Sequence, residues 1–179
     1  MPNHAGAPLQ DLPRTAGHDS LQAMPKIDLS ALPQANATGY PAPFDQPVAG
    51  RWYRRLGPAN GLSAMGASHV VLQPGAWSSQ RHWHADEDEL LIMLAGEAVL
   101  IEDGARTVLR AGDVAAWAMG VENGHHLINE SAADCSFVAI SAGAAPGTGS
   151  GAYPDIDMVF GPEGYATRAG AAYPTQRIK

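Results

Sequence analysis

The chain has 179 residues, of which 45% are hydrophobic, and a formal net charge of −7 at pH 7. This length predicts one domain with a full hydrophobic core that needs no disulfide or metal to hold it together. The acidic balance argues against nucleic-acid binding through a broad basic surface, and no apolar run approaches the roughly 20 residues of a membrane span.

The cysteine content and the N-terminal composition bear on the compartment. Cys135 is the only cysteine and lies in an apolar run, so no intramolecular disulfide is possible and we expect a buried, inert thiol. The N-terminus lacks the basic region and apolar stretch of a secretory signal. We therefore expect a cytoplasmic protein.

Two segments precede the predicted core. Residues 1–25 are rich in Pro, Gly, Ala and polar residues, which predicts a flexible N-terminal arm. Residues 26–60 carry prolines at positions 33, 41, 43, 47 and 58. Because proline disfavours a helix interior, this composition predicts an extended segment that wraps the core.

A short basic cluster, Arg51-Trp52-Tyr53-Arg54-Arg55, lies inside the second segment. We favour its interpretation as a solvated edge strand. The alternative is a phosphate or carboxylate site, because such a strand could pass near the mouth of a pocket and arginine suits both anions.

From about residue 66 the sequence consists of short hydrophobic runs separated by turn signals. Asp103-Gly104 predicts a hairpin. The regular spacing predicts an all-β sandwich or barrel over residues 61–145, followed by a linker and a C-terminal extension over 146–179. The predicted strands are Ser68–Leu72, Trp77–His84, Glu89–Leu94, Glu97–Glu102, Thr107–Arg110, Val114–Ala118, His125–Glu130 and Cys135–Ser141.

The most informative stretch is His82-Trp83-His84, followed by the acidic run Ala85-Asp86-Glu87-Asp88-Glu89. Side chains at positions i and i+2 of a strand point to the same face, so His82 and His84 can direct two imidazoles at one point. A carboxylate on the next strand could complete three corners of a site for a borderline divalent metal. Residues 86–88 are interpreted as a solvated loop.

Two blocks of residues together resemble the two motifs of the cupin superfamily. The first block is Gly75, His82, His84, Glu89 and Gly96, with one extra residue between Gly75 and His82. The second is Gly112, Gly120, His125 and Asn129, with Ala118 in place of the usual proline and two extra residues before His125. The flanks, around Tyr40 and Tyr153, resemble small bacterial single-domain cupins that are often labelled sugar-phosphate isomerases.

The resemblance implies a double-stranded β-helix, the jelly-roll cupin barrel, with an extended N-terminal arm and a short C-terminal extension. It also implies a homodimer, to which residues 26–60 would contribute contacts. The ligand set that it implies is His82, His84, Glu89 and His125 around one divalent ion (Fe, Mn, Ni, Zn or Cu). His126 is the alternative to His125, and Glu89 is also the candidate catalytic base.

Strand alternation predicts the remaining wall of a substrate pocket. If the metal ligands face inward, so do their strand neighbours, which are Ser78, Gln80, Leu91, Met93 and Leu127. Polar groups on an apolar wall are typical of a site for a small molecule.

Three functions fit these residues. The first is a metal-dependent enzyme that acts on a small polar metabolite chelating the metal through oxygen, by dioxygenase, isomerase or lyase chemistry. The second is a non-catalytic module that binds or senses a metal or metabolite, and the third is a structural cupin with an empty site. We favour the enzyme, with a small molecule as substrate and neither nucleic acid nor membrane as partner. Retention of four candidate ligands argues against the structural cupin with an empty site.

Overall fold

The computed structural model describes residues 26–145 and 147–174, and the predicted arm over residues 1–25 lies outside them. The described residues form an all-β fold, in which three 3₁₀ turns are the only helical elements: Leu29–Ala31, Gln46–Val48 and Pro58–Asn60. The strands are β1 (Arg51–Arg55), β2 (Met65–Leu72), β3 (Trp83–His84), β4 (Glu87–Ala95), β5 (Glu97–Glu102), β6 (Ala105–Arg110), β7 (Val114–Trp117), β8 (His126–Ile128), β9 (Cys135–Gly143), β10 (Gly151–Tyr153), β11 (Met158–Gly161) and β12 (Gly164–Ala166).

The barrel wall is made of antiparallel strands that alternate between core and solvent. One sheet has the order β1-β2-β9-β4-β7, and a second has the order β6-β5-β8. The hairpin predicted at Asp103-Gly104 joins β5 to β6, with Glu102 paired to Ala105. The main core cluster is Val70, Leu72, Ala76, Leu91, Met93, Ala98, Leu100, Leu109, Leu127, Cys135 and Phe137.

The predicted strand Trp77–His84 is wrong for most of its length, because only Trp83–His84 is a strand and residues 78–81 form bends. Side chains in this segment bond to backbone groups in place of a regular ladder. The hydroxyl of Ser78 accepts a hydrogen bond from the Leu127 amide at 2.9 Å. Isolated bridges from Trp77 to Ile128 and from His82 to His125 still hold the segment on the barrel.

A smaller sheet of order β12-β11-β10-β3 joins the C-terminal strands to the segment that carries the histidines. A second core cluster consists of the buried residues Tyr40, Val48, Tyr153 and Met158. Residues before β1 therefore pack against residues after β9. The domain boundaries at residues 60 and 145 stay a prediction. Strand β1, before the first boundary, hydrogen-bonds to β2, and β10, after the second, hydrogen-bonds to β3. Within the described ranges, no helix has the length and hydropathy needed to cross a membrane.

Candidate metal centre

A cavity of about 510 Å³ opens between the five-stranded sheet and the C-terminal sheet. Its wall includes His82 and His84 from the segment that ends in β3, Glu89 from β4, and His125 from the residue before β8. The four ligands predicted from the two motifs therefore face one space, although up to 43 positions separate them in the chain.

The donor atoms of these side chains lie close together. Nε2 of His82 is 3.1 Å from Nε2 of His84, which is 3.4 Å from Oε2 of Glu89. Oε2 of Glu89 is 2.7 Å from Nε2 of His125. The first three residues form a group whose donor atoms all lie within 4.8 Å of one another, and His125 adjoins this group through Glu89.

These separations fit a coordination sphere. Metal–ligand bonds of about 2.1 Å at right angles place neighbouring donors about 3.0 Å apart. The three distances given above scatter around that value, and imidazole nitrogens with a carboxylate oxygen are the donors that Zn, Fe, Mn, Ni and Cu accept. The residues present therefore fit a divalent ion held by His82, His84 and Glu89, and His125 adjoins them through Glu89.

Each histidine has an oxygen near the ring nitrogen that faces away from the cluster. Nδ1 of His82 lies 3.0 Å from the Gln80 carbonyl oxygen, and Nδ1 of His125 lies 3.4 Å from that of Asn123. A carbonyl only accepts, so Nδ1 of His82 carries the proton and its Nε2 lone pair faces the cluster. At His125 it is Nε2 that donates, to the Glu89 carboxylate at 2.7 Å, so this nitrogen would have to lose its proton before it could bind a metal. The Trp117 ring stacks on His125 with centroids 3.9 Å apart and restricts that imidazole further.

At two of these residues, His82 and Glu89, electrostatics favour the protonation state that a metal requires. Burial lowers the pKa of His82 to about 4, so its ring is neutral at physiological pH. Burial opposes ionisation of Glu89, yet the hydrogen bond from His125 and the neighbouring imidazoles lower the pKa of its carboxyl group to about 2. Metals bind neutral imidazole and ionised carboxylate, which are the forms favoured here.

The acidic run is not the solvated loop that the sequence suggested. Glu87 begins β4 and is only 8% exposed, and its Oε2 lies 3.1 Å from Nδ1 of His84. Burial opposes protonation of His84, but Glu87 and Glu89 together raise its pKa. Because β4 starts two residues earlier than predicted, Glu87 and Glu89 share its inner face. Glu87 supports a ligand, a role that the sequence interpretation missed.

The predicted pocket residues divide into two groups. Ser78, Leu91 and Leu127 line the cavity. Gln80 and Met93 lie outside its lining: the amide of Gln80 donates to the Phe44 carbonyl at 2.8 Å, and Met93 is 1% exposed within the main core. Gln80 turns away because the bends at 78–81 break the alternation on which its prediction rested.

His125 and His126 both border the cavity, but only His125 contacts the cluster. Nε2 of His125 reaches Glu89, whereas Nδ1 of His126 lies 2.9 Å from the Ser79 carbonyl oxygen and its ring packs edge-on against Trp77. This geometry favours the first of the two alternatives.

Three tyrosines of the cavity wall had no signal as site residues in the sequence. Tyr40, Tyr153 and Tyr165 come from three separate segments, and the hydroxyl groups of Tyr153 and Tyr40 are 3.2 Å apart. Burial raises the pKa of all three phenols, so they remain hydrogen-bond donors. The basic cluster on β1 also reaches the wall, with Arg51 and Arg55 in the lining. In the sequence, the segments around Tyr40 and Tyr153 supported only the similarity to small single-domain cupins.

Comparison with known proteins agrees with this fold. The Cupin domain family matches residues 68–141. A sugar phosphate isomerase from a cupin superfamily of Silicibacter pomeroyi is 33% identical, with a TM-score of 0.77, and the match covers 87% of this chain and 100% of that one. The chain therefore belongs to the cupin superfamily.

More distant structures share the fold. A candidate sugar phosphate isomerase from Acidithiobacillus ferrooxidans is 20% identical over 70% of this chain and 81% of that one, with a TM-score of 0.60. The polyketide cyclase RemF from Streptomyces resistomycificus is 15% identical over 68% of this chain and 80% of its own, with a TM-score of 0.55. No curated protein matches the chain. One cupin fold thus serves differently named activities, so function has to be argued from the site.

Proposed function

We propose that this cupin is a metal-dependent enzyme that acts on a small polar metabolite able to chelate the metal through oxygen atoms. The observation that supports the proposal is the convergence of His82, His84, Glu89 and His125 on one cavity. The ion would be Fe, Mn, Ni, Zn or Cu, all of which accept this donor set.

The metal would supply Lewis acidity, which polarises a carbonyl group or acidifies water. The chain's own residues prepare the site for it. The hydrogen bond from Nδ1 of His82 to the Gln80 carbonyl holds that ring with Nε2 toward the cavity, and stacking on Trp117 restricts the ring of His125. The apolar wall at Leu91 and Leu127 excludes water from one side and can receive the carbon chain of a substrate.

Glu89 is the proposed proton acceptor as well as a ligand. Its pKa of about 2 makes it a weak base in its resting contacts, because a general base works best when its pKa is near the operating pH. Proton transfer to Glu89 therefore requires its oxygen to leave the hydrogen bond with His125, which removes the main contact that holds the pKa low. We expect Glu89→Gln to slow turnover more than it weakens metal binding.

Isomerisation of a sugar phosphate is the first reaction to assay. The support for it is the name of the Silicibacter pomeroyi relative, which covers most of this chain at 33% identity. Dioxygenase and lyase reactions use the same kinds of donor, so hydroxyacids, enols and dicarbonyls complete the panel.

The test has two stages. Metal content is measured on protein purified without chelator, for the wild type and for the double variant His82→Ala/His84→Ala. We expect about one ion per chain in the wild type and none in the variant, and equal metal content in both would refute the site. Wild type loaded with each metal is then given the panel of metabolites. Binding without conversion of any of them would refute an enzyme and support a binding or sensing module.

A further inference from the structure

Strand β1, which lies three strands from β4 in the five-stranded sheet, presents a row of side chains to the cavity. Arg51, Tyr53 and Arg55 alternate along β1 and all three line the cavity. Arg54 points to the opposite face, since it lies outside the cavity lining and its Nη2 donates to Gln34 at 2.9 Å. The basic cluster is therefore split between two faces, and two of its cations face the site.

Within the part of the chain that the structure describes, neither Arg51 nor Arg55 forms an ion pair, whereas three other arginines do. Arg81 contacts Asp103 and Asp155, Arg106 contacts Glu130, and Arg110 contacts Glu97. Within residues 26–145 and 147–174, no carboxylate oxygen lies within 4.0 Å of Arg51 or Arg55. In a chain with a net charge of −7, two unneutralised cations at one cavity form a local positive field that an anion can use.

Neighbouring groups hold these guanidinium groups in place. Both lie near the Tyr53 ring, with the Arg51 carbon 5.6 Å and the Arg55 carbon 5.9 Å from its centroid. Nη1 of Arg51 donates to the Ser78 carbonyl at 2.8 Å, while its buried Nε has no hydrogen-bond partner among the described residues. A cation with a fixed orientation loses little entropy when it binds a planar or tetrahedral oxyanion.

The sheet register connects these cations to the metal-ligand cluster. Arg55 pairs with Ser68, which pairs with Ala139, which pairs with Leu91, and all of them line the cavity. Glu89 lies two residues from Leu91 on the same face of β4. Three interstrand steps of about 4.8 Å place the backbones of β1 and β4 on the order of 14 Å apart, a gap that side chains from both ends shorten. Between the two ends, the floor is small or apolar.

We propose that Arg51 and Arg55 form a subsite for an oxyanion, a phosphate or a carboxylate, carried at the end of the substrate opposite its metal-chelating oxygens. The substrate's carbon chain lies over Ala139 and Leu91. This assignment of the substrate's charge rests on the proposed function, because the other end of the molecule is the one that reaches the histidines. The subsite itself depends only on the residues of β1.

Calorimetric titration with inorganic phosphate, and separately with acetate, tests the subsite in the full-length protein. Arg55→Ala is the informative variant because the Arg55 side chain is exposed and makes no hydrogen bond to another described residue, so its removal should leave the fold intact. Arg54→Ala is the matched control, since it removes the same charge from the other face of the same strand. We expect Arg55→Ala to weaken binding of the preferred anion about tenfold and Arg54→Ala to change it less than about twofold, because only one of them loses a charge-assisted hydrogen bond.

Two further arms separate the possible outcomes. Tighter binding of phosphate than of acetate indicates a phosphate ester as substrate, and the reverse indicates a carboxylic acid. The double variant His82→Ala/His84→Ala should bind the anion as tightly as the wild type does. That result would support the anion subsite even if the metal measurements refute the metal site. The subsite is refuted if neither anion binds the wild type at millimolar concentration, if both arginine variants weaken binding equally, or if binding disappears with the histidines.

Discussion

Gly96, the last residue of the first cupin motif, allows a sharp test of how that motif holds the fold together. It joins β4 to β5 with a φ of +69°, a conformation that costs an L-residue about 1–2 kcal/mol. A Cβ at this position would also lie 2.9 Å from the carbonyl oxygen of Asp134 and 2.9 Å from Cα of Cys135. Gly104 is the matched control, because its φ is +71° and a Cβ there would meet nothing within 4 Å.

We expect Gly104→Ala to lower the free energy of unfolding by about 1–2 kcal/mol, which is the conformational cost alone. Gly96→Ala adds overpacking against a neighbouring strand, which costs a further 1–3 kcal/mol or so, for a total of about 2–5 kcal/mol. In a domain of this size each kcal/mol shifts Tm by roughly 2–4 °C. Urea denaturation and calorimetry on both variants measure the difference. Equal destabilisation of the two would refute the argument that Gly96 is required by close backbone approach.

Three other predictions follow from the site and the core. Metal affinity should fall as the pH is lowered from 8 to 6, by up to about tenfold per pH unit below the raised pKa of His84. The proton competes with the metal for the His84 imidazole, whereas His82, with a pKa of about 4, stays neutral. Metal titrations that give the same affinity at both pH values would contradict this. Burial raises the pKa of the Cys135 thiol to about 11, so only about one part in a thousand is thiolate at pH 8 and a thiol reagent should label native protein far more slowly than protein unfolded in urea. We also predict a homodimer in which residues 26–60 contribute contacts, because β1 is an edge strand, and light scattering that gives a monomer mass at micromolar concentration would count against it.

The sequence by itself determined the class of fold and the identity of the clustered side chains. Alternating hydrophobic runs and turn residues act locally, so they located most of the strands and the hairpin at Asp103-Gly104, with errors of a few residues at strand ends. The spacing of His82, His84, Glu89 and His125 resembles the two cupin motifs, and that resemblance selected four side chains that line one cavity, with His126 left as the alternative to His125.

Only the tertiary structure decided which neighbours complete the site. The bends at residues 78–81 are held by hydrogen bonds between Ser78 and Leu127 and between Gln80 and Phe44, which are distant in the chain, so alternation misplaced Gln80. Glu87 looked like part of a solvated charge run until the earlier start of β4 buried it beside His84. Arg51 and Arg55 became cavity residues because β1 pairs with β2, a contact between segments that the local sequence does not encode. Long-range strand pairing sets which face of a strand meets the cavity, and no short-range pattern carries that information.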